Sequence, residues 1–324
     1  MVTSRLPPAF PRPGAGLATP AGGGTLLGVT TLLRTAHADF DPAAVAAAKG
    51  GRRVAVCLPA RDEESTVGTI VDVLRRELQE EVPLIDELVV VDDHSEAATA
   101  RVARDAGATV VDARTTLPEV TGAGKGAALW KSLHETTSDL VVWVDADITE
   151  FSSHFAAALV GTLVENPQVS FVKGAYDRPL VEGEGGGRVT ELVARPALAM
   201  LFPELTVVAQ PLAGEYGGRR DLLERLPFVQ GYGVDIALLI DSHREVGMGG
   251  LAQVDLGVRR HRNRTIGQLG PQAAEVLRAA LVRAGVPTGD EHLTLRRPGL
   301  EPLELAHDEL PPVVELGSYG RDSG

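Results

Sequence analysis

The chain has 324 residues, of which 44% are hydrophobic, and a formal net charge of −13. This length and composition predict a folded globular protein with a substantial core. The acidic charge argues against a nucleic-acid-binding protein, because such proteins carry a broad basic face. The single cysteine, Cys57, excludes an internal disulfide, and no stretch approaches the roughly 20 apolar residues that span a bilayer. We therefore expect a cytoplasmic protein that is not bound to a membrane.

Residues 53–148 alternate short β-rich runs with helical patterns. The first run is RVAVCLPA, and Ser65 to Gln79 follow with apolar residues at helical spacing. The runs DELVVVDD, ATVVDA and DLVVWVDAD come next, separated by an alanine-rich segment at 96–107 and by GKGAALWKSLHE. This β-α-β-α-β-α-β order predicts an α/β fold with a doubly wound, mostly parallel sheet. In such sheets ligands bind beyond the carboxyl ends of the strands.

The rest of the chain has a looser pattern. It predicts a helix near 153–165, the strand VSFVKG, a glycine-rich loop at 183–187 and a helix at 188–201. Beyond these, GVDIALLIDSHREVG is typical of a helix, LAQVDLGV of a strand, and 271–285 of a last helix. We expect a mobile N-terminal arm at 1–45, an α/β domain at 46–150, a second part at 151–286 and a surface tail at 287–324.

Two aspartates, Asp145 and Asp147, follow the apolar run LVVWV near a predicted strand end. They share one side of an extended strand, because side chains alternate with a period of two. Two buried carboxylates repel each other and lose hydration, so a cation is expected to compensate them. Paired oxygen ligands suit Mg²⁺ or Mn²⁺, which keep water and bind substrate phosphates. The alternative is a strand-end pair that caps a loop.

Three further motifs concentrate groups that can bind anions or a metal ion. Lys125 lies between glycines at a predicted helix start, which suits a diphosphate oxygen, although TGAGKGAA fits neither common phosphate-loop pattern. EGGGRVTELVARP places Arg188 and Thr190 at another helix start, where amides, the helix dipole and a guanidinium favour phosphate or carboxylate. VRRHRNR surrounds His261 with arginines, and a neutral imidazole there can complete a metal site. The alternatives are a surface turn, a flexible loop and a solvated charge run, respectively.

The motifs of this chain resemble, in their order, those of the glucosyl-3-phosphoglycerate and mannosyl-3-phosphoglycerate synthases. They are CLPARDEESTV, VVDDHS, GKGAALWKSL, VDADI, GGGRVTELVARP, QPLAGEY, GYGVDIALLID and LGVRRHRNR. Enzymes of this family are retaining glycosyltransferases with the GT-A fold. The resemblance implies that residues 46–150 bind a nucleotide diphosphate sugar and that residues 151–286 bind 3-phosphoglycerate. It also implies Mg²⁺ or Mn²⁺ as the cofactor and a homodimer.

The resemblance also implies a role for each motif residue. Asp147 and His261 would bind the metal ion. Asp145, Asp235 and Leu212 would be catalytic, with backbone groups at 212–214 orienting the acceptor hydroxyl. The nucleotide sugar would be bound by Pro59, Ala60, Arg61, Glu63, Asp93, Lys125, Asp145, Ala146, Arg259 and Arg264. The acceptor would be bound by Gly187, Arg188, Thr190, Tyr232 and Asn263.

Two departures from the glucosyl enzymes bear on the choice of donor. Asp62 and Asp93 add carboxylates, because Arg61-Asp62 replaces their usual Leu-Asn and DDHS at 92–95 replaces Asp-Ser-Gly-Ser. Guanine offers two hydrogen-bond donors on one edge, which a carboxylate accepts well, whereas uracil offers one. We therefore expect GDP-mannose as the donor and mannosyl-3-phosphoglycerate as the product, with UDP-glucose as the alternative. A glycosyltransferase with a lipid acceptor and a non-catalytic nucleotide-binding module are the remaining alternatives.

Overall fold

The computed structural model describes residues 31–96, 98–118, 120, 122–177, 187–259, 265–289, 293–305, 308–317 and 319. The strands in these residues are β1 Leu33–Ala36, β2 Val54–Ala60, β3 Glu87–Asp92, β4 Thr109–Asp112, β5 Leu140–Trp143, β6 Phe171–Asp177, β7 Tyr216–Arg219, β8 Phe228–Val229, β9 Leu251–Val258, β10 Leu293–Leu295, β11 Leu303–Leu305 and β12 Glu309–Leu310. The α-helices are α1 Pro42–Ala48, α2 Val67–Arg75, α3 Thr99–Asp105, α4 Lys125–His134, α5 His154–Glu165, α6 Arg195–Leu201, α7 Arg220–Leu223, α8 Val234–Val246 and α9 Ile266–Arg283. Two π-helical segments, Arg76–Glu81 and Thr190–Ala194, are continuous with α2 and α6.

One sheet contains eight of these strands, in the order β1-β9-β6-β7-β5-β2-β3-β4. Neighbouring strands pair in parallel, except that β7 runs antiparallel to both β5 and β6. The predicted doubly wound, mostly parallel sheet is therefore confirmed. Its strands are nearly continuous apolar runs because the sheet is buried on both faces.

Alternation along β5 and the residues after it assigns side chains to two cores. Trp143 packs in one core, whereas Val144 and Ala146 pack in the other. Asp145 and Asp147 therefore point away from the second core. Each fully buried aliphatic side chain stabilises the fold by about 1.5–3 kcal/mol, so a slip of one residue, which would bury the aspartates instead, is strongly disfavoured.

Part of the predicted N-terminal arm belongs to the folded body. Residues 1–30 lie outside the described residues, but β1 pairs in parallel with β9 at the edge of the sheet. The ring of Phe40 packs so closely against Gly161 of α5 that an added Cβ there would lie 2.5 Å from it. Val45 of α1 is buried in the same core. The expected arm, residues 1–45, therefore includes β1 and most of α1, which are folded. The sequence did not indicate this, because a four-residue strand shows too little alternation to be recognised.

The segment expected to be a surface tail, 287–324, also contacts the body. Its described residues form the antiparallel pair β10 and β11, and β12 pairs antiparallel with β8. Glu309 of β12 binds Arg283 at 2.8 Å. The indole Nε1 of Trp130 donates to the carbonyl oxygen of Pro311 at 2.7 Å. These contacts are far apart in sequence, so the composition of the tail alone does not indicate them.

The last long helix, α9, begins at Ile266, whereas the sequence pattern predicts residues 271–285. Thr265 caps this helix, because its side chain accepts a hydrogen bond from the backbone N–H of Gln268 at 3.4 Å. Pro271 lies inside the helix, which is why the pattern predicts a start there. No helix in the described residues is both long and apolar enough to cross a membrane.

Candidate active site

A cavity of about 390 Å³ brings most of the predicted site residues together. It lies where β2 and β5 end and where α4, α8 and the helical segment before α6 begin. The predicted residues that line it are Pro59, Ala60, Arg61, Glu63, Asp93, Lys125, Asp145, Ala146, Asp147, Gly187, Arg188, Thr190, Leu212, Tyr232, Asp235 and Arg259. The other predicted residues, His261, Asn263 and Arg264, lie outside the described residues. The position beyond the carboxyl ends of parallel strands is the one expected for a ligand site.

Several lining residues were not predicted. They are Gly124, Ala128, Val189, Leu269, Gln272 and Val276, and Asp62, which was expected near the base, also lines the cavity. Leu269, Gln272 and Val276 share one face of α9, because they are spaced by three and four residues. Helix α9 therefore forms a wall of the cavity. The helical spacing was visible in the sequence, but nothing in it indicated that this face of α9 would meet the strand ends.

The strand-end aspartates converge on one guanidinium. Arg259 Nη2 donates to Asp145 Oδ2 at 2.8 Å and to Asp147 Oδ1 at 3.0 Å. Arg259 is 4% exposed, and its Nη1 donates to the hydroxyl of Tyr176 at 3.3 Å. Burial lowers the pKa of Arg259, but nearby anionic groups, Glu215 first among them, more than offset this and raise the pKa well above its ordinary value. Arg259 thus supplies the positive charge that the paired carboxylates require.

Lys125 is a second buried cation beside these carboxylates. Its Nζ lies 3.0 Å from Asp145 Oδ1 and 3.1 Å from Asp235 Oδ1. Gly124 places the lysine at the start of α4 with a φ of 94°, a left-handed conformation that favours glycine. Burial lowers the pKa of Lys125, but Asp145 and Asp235 more than offset this and raise it. Lys125 therefore stays protonated at neutral pH.

The loop at 212–214 approaches Asp145 closely. A Cβ added to Gly214 would lie 2.0 Å from Asp145 Oδ2 and 2.3 Å from its Cγ. Lys125 and Arg259 hold the Asp145 carboxylate, so it cannot swing away to make room. Only glycine therefore permits this approach between the loop backbone and the strand-end carboxylate.

A buried lysine that was not predicted, Lys173, lies next to this loop. Its Nζ donates to the carbonyl oxygens of Ala213 and Asp235, each at 3.1 Å, and lies 4.1 Å from the centroid of the Tyr216 ring. The Tyr216 hydroxyl donates in turn to Asp235 Oδ1 at 3.0 Å. Burial lowers the pKa of Lys173 to about 8, although Asp235 opposes this change. Lys173 thus joins the start of α8 to the loop, and a lysine ending the apolar run VSFVKG was the available sequence signal.

Glu215 is a fully buried carboxylate next to Arg259. Its Oε1 lies 3.1 Å from Arg259 Nε, but neither carboxylate oxygen accepts a hydrogen bond from a described residue. Burial raises the pKa of Glu215, Arg259 opposes this, and Asp145 adds to the rise. Sequence reasoning assigned no role to Glu215, because it did not recognise the short strand β7 that follows it.

The two carboxylates expected to read guanine already accept hydrogen bonds from the protein. Asp93 Oδ2 accepts from the backbone N–H of Gly124 at 2.8 Å, and its Oδ1 lies 2.9 Å from His94 Nδ1. Asp62 Oδ1 accepts from the backbone N–H of Glu96 at 2.9 Å. These bonds shape the loops after β2 and β3. The presence of two extra carboxylates is therefore not an argument for guanine.

Three of the predicted acceptor residues, Gly187, Arg188 and Thr190, lie at the start of the helix that leads into α6, whereas Tyr232 lies just before α8. The backbone N–H of Glu191 donates to the carbonyl oxygen of Gly187 at 2.9 Å, and Thr190 is buried. Arg188 lines the cavity in this first turn, where the positive end of the helix dipole also favours an anion. Most of the predicted glycine-rich loop, at 183–186, lies outside the described residues.

The strand-end carboxylates fit a divalent cation. Asp145 and Asp147 already direct oxygens at one positive charge, the guanidinium of Arg259. In the described part of the chain no group of three or more His, Cys, Asp or Glu side chains is placed to hold a metal ion, and the third predicted ligand, His261, lies outside that part. Mg²⁺ and Mn²⁺ need only one or two carboxylates, because they keep several waters and also bind substrate phosphates.

This sheet, with its acid pair after β5 and a cavity lined by both carboxylates and buried cations, defines a glycosyltransferase of the GT-A type. The family described as Glycosyl transferase family 2 matches residues 55–208. The chain is 47% identical to the glucosyl-3-phosphoglycerate synthase of Mycolicibacterium smegmatis over 254 residues, which cover 76% of this chain and 83% of that one. It is 40% identical to the enzyme of the same name from Petrotoga mobilis over 285 residues, which cover 82% and 88%. It therefore belongs to the same glycosyltransferase family as the glucosyl-3-phosphoglycerate synthases.

Solved structures of a relative carry ligands. The Mycobacterium tuberculosis glucosyl-3-phosphoglycerate synthase with Mn²⁺, UDP-glucose and phosphoglyceric acid superposes with a TM-score of 0.81 at 41% identity, covering 87% of this chain and 98% of that one. The same enzyme with Mg²⁺ and UDP superposes with a TM-score of 0.79 at 40% identity, with the same coverage. These relatives do not support the expectation of GDP-mannose and a mannosyl product, and they favour the glucosyl alternative.

Proposed function

We propose that this glycosyltransferase transfers glucose from UDP-glucose to 3-phosphoglycerate with Mg²⁺ or Mn²⁺, giving glucosyl-3-phosphoglycerate. The observation that carries the proposal is that the acid pair Asp145 and Asp147 and the helix start at Arg188 line one cavity. A donor that needs a metal ion and an acceptor that carries a phosphate can therefore meet there. The names and bound ligands of the relatives support the same choice.

The donor side follows from the strand-end residues. Asp147, together with His261 outside the described residues, would hold the divalent ion, which when bound stabilises negative charge on the leaving nucleoside diphosphate. Lys125 adds a fixed positive charge beside the same diphosphate. Pro59 and Ala60, at the end of β2, would line the nucleoside pocket with Asp93. Asp93 then acts through the shape of its loop, because Gly124 and His94 already bind its oxygens.

The acceptor side follows from the helix start. Arg188 can make charge-assisted hydrogen bonds to the phosphate, and Thr190 adds a hydroxyl in the same turn. Gly187 permits the anion to approach the first amides, with Tyr232 on the neighbouring wall. Asn263, outside the described residues, stays a predicted acceptor ligand. The homodimer, the cytoplasmic location and the division at residues 150 and 286 also stay predictions.

We infer retention of configuration by attack on the face that the leaving group departs from. The two carboxylates beside the 212–214 loop, Asp145 and Asp235, are both paired with Lys125, which lowers their nucleophilicity. Attack therefore falls to the acceptor hydroxyl, oriented by backbone groups from Leu212 to Gly214. Its oxygen bonds to the anomeric carbon, the bond to the diphosphate breaks, and the hydroxyl proton passes to the departing phosphate oxygen.

A donor panel tests this proposal. Initial rates with 3-phosphoglycerate and Mg²⁺ are measured for UDP-glucose, ADP-glucose, GDP-glucose and GDP-mannose. A site that hydrogen-bonds one base and one sugar rejects others by large factors, so we expect kcat/KM for UDP-glucose to be highest, by about tenfold or more. A higher kcat/KM for GDP-mannose would contradict the proposal and restore the mannosyl expectation. A failure of all four donors would contradict both.

A further inference from the structure

Glu215 is a buried acid whose hydrogen-bonding capacity is not used in the arrangement described. Both of its carboxylate oxygens lack a hydrogen bond within the described part of the chain, and so does Arg259 Nε, although Nε and Oε1 are only 3.1 Å apart. The two groups are therefore close but badly aligned. A buried carboxylate normally accepts several hydrogen bonds, because leaving it unsatisfied is costly. Glu215 could therefore accept hydrogen bonds from a nearby donor that now binds other residues.

That partner is the guanidinium of Arg259. Its Nη2 is shared between Asp145 and Asp147, at 2.8 and 3.0 Å, so the aspartates hold it turned away from good geometry with Glu215. The centroid of the Tyr176 ring lies 5.2 Å from Arg259 Cζ, and this cation–π contact can persist while the guanidinium rotates. A small rotation would exchange the bonds to the aspartates for a bidentate pair with Glu215, which is the strongest geometry for arginine and carboxylate.

Binding of a divalent ion would favour that rotation of the guanidinium. Asp147 would be a ligand of the ion, and the positive charge of the ion would strongly repel the guanidinium that Asp147 now binds, because the setting is buried. The guanidinium would then lose its contact with Asp147. A buried guanidinium without a paired carboxylate has a large desolvation cost, so it needs another carboxylate. Glu215 offers a buried negative charge within reach and with unused acceptor oxygens.

We propose that Arg259 and the divalent ion compete for Asp147 of the strand-end acid pair, and that Glu215 is a positioning residue that binds the guanidinium when the ion binds. The proposal rests on the proposed divalent-ion site. Glu215 is not among the residues that line the cavity, so it would act on metal affinity through Arg259. It therefore sets how tightly the acid pair binds the ion.

Binding of Mn²⁺ by the full-length protein, measured by electron paramagnetic resonance without nucleotide, tests this proposal. Glu215→Gln should weaken Mn²⁺ binding about tenfold, because the displaced guanidinium loses a charge-assisted partner. Arg259→Met should tighten binding, because the competing cation is gone. In the double variant, Glu215→Gln should add nothing to the effect of Arg259→Met. Asp241→Asn is the matched control, because Asp241 is a buried acid paired with a different arginine, Arg283, and should not change the affinity.

The outcomes separate the possible failures. If Glu215→Gln leaves Mn²⁺ affinity unchanged, or weakens it equally with and without Arg259, the guanidinium exchange is wrong while the metal site stands. If the wild-type protein binds no Mn²⁺ without nucleotide, the exchange is wrong, and if it binds none with UDP either, the metal part of the proposed function is wrong as well. Crystal structures of the wild-type protein with and without Mn²⁺ need no variant. We expect Arg259 Nη2 to move beyond about 4 Å from Asp147 and to bind Glu215 when the ion is present, and an Arg259 that stays on both aspartates would overturn the proposal.

Discussion

Two regions of the cavity arrange charge in different ways. The strand-end cluster consists of Asp145, Asp147, Asp235, Lys125 and Arg259. There each carboxylate lies within 3.1 Å of a cation, so opposite charges alternate and hold one another in place. The helix-start site, Gly187 to Thr190, instead adds a guanidinium to the positive end of a helix. The strand-end cluster therefore suits precise placement of a metal ion and a diphosphate. The helix-start site suits binding of an anion through its negative charge.

Removing one member of the strand-end cluster should have the largest effect. Asp147→Ala should lower kcat by several powers of ten, because loss of the metal ion removes several kcal/mol of charge stabilisation. Steady-state rates at saturating donor and acceptor measure this. Asp112→Ala is the control, because Asp112 also ends a strand but pairs with Arg114 away from the cavity lining. Comparable losses in both variants would mean that the cluster has no special role.

Crowding the same cluster should have the next largest effect. Gly214→Ala places a Cβ where the Asp145 carboxylate lies, so the carboxylate or the loop must move. A displacement of about 1 Å at reacting groups can cost about 100-fold in rate, and we expect a loss of kcat of that order. Gly267→Ala is the control, because a Cβ there meets nothing nearer than 3.9 Å. Normal kcat in Gly214→Ala would show that the loop does not need its present position.

The helix-start site should respond in KM instead of kcat. Arg188→Ala should raise the KM for 3-phosphoglycerate by about 10- to 100-fold, because a charge-assisted hydrogen bond contributes about 1.5–3 kcal/mol. The KM for UDP-glucose should stay nearly constant. Arg101→Ala removes an equal charge from an exposed ion pair with Asp105 and serves as the control. An equal rise in both KM values for Arg188→Ala would remove the distinction between the two regions.

Lys173 should have the smallest effect on catalysis, and its effect should appear in the dependence of stability on pH. Burial lowers its pKa from 10.5 to about 8, so between these values the unfolded chain binds more protons than the folded protein. The free energy of unfolding should therefore rise with pH over this window, relative to Lys173→Met, by about 3 kcal/mol in total. Urea unfolding of both proteins at pH 7.5 and pH 10 measures the difference. If the difference in unfolding free energy between the two proteins does not rise from pH 7.5 to pH 10, the pKa of Lys173 is not lowered by burial.

The strand-end cluster could be predicted from the sequence to a large extent. Asp145 and Asp147 follow a run whose apolar residues fix the direction of each side chain, and Lys125 begins a helix that the pattern shows clearly. Both depend on local periodicity, which a single sequence contains. The cavity holds every predicted site residue that the structure describes, and most of these were implied by the family resemblance and not by periodicity.

Other features depend on contacts between distant residues. The short antiparallel strand β7 enters between β5 and β6, and only this pairing places Glu215 and Tyr216 beside the cluster. Edge strand β1 pairs with residues more than 200 positions away. The guanine argument was not supported for the same reason. It treated Asp62 and Asp93 as present for the base, whereas each already accepts a hydrogen bond from a backbone amide, of Glu96 and Gly124, respectively.

The central claim is that the helix-start site reads the acceptor phosphate while the strand-end cluster carries the transfer. The ratio of kcat/KM for 3-phosphoglycerate to that for glycerate, with UDP-glucose as donor, tests it most directly in the wild-type protein and in Arg188→Ala. We expect a ratio of about tenfold or more in the wild type that falls towards one in Arg188→Ala. A wild-type ratio near one, or a ratio unchanged by the substitution, would contradict the account.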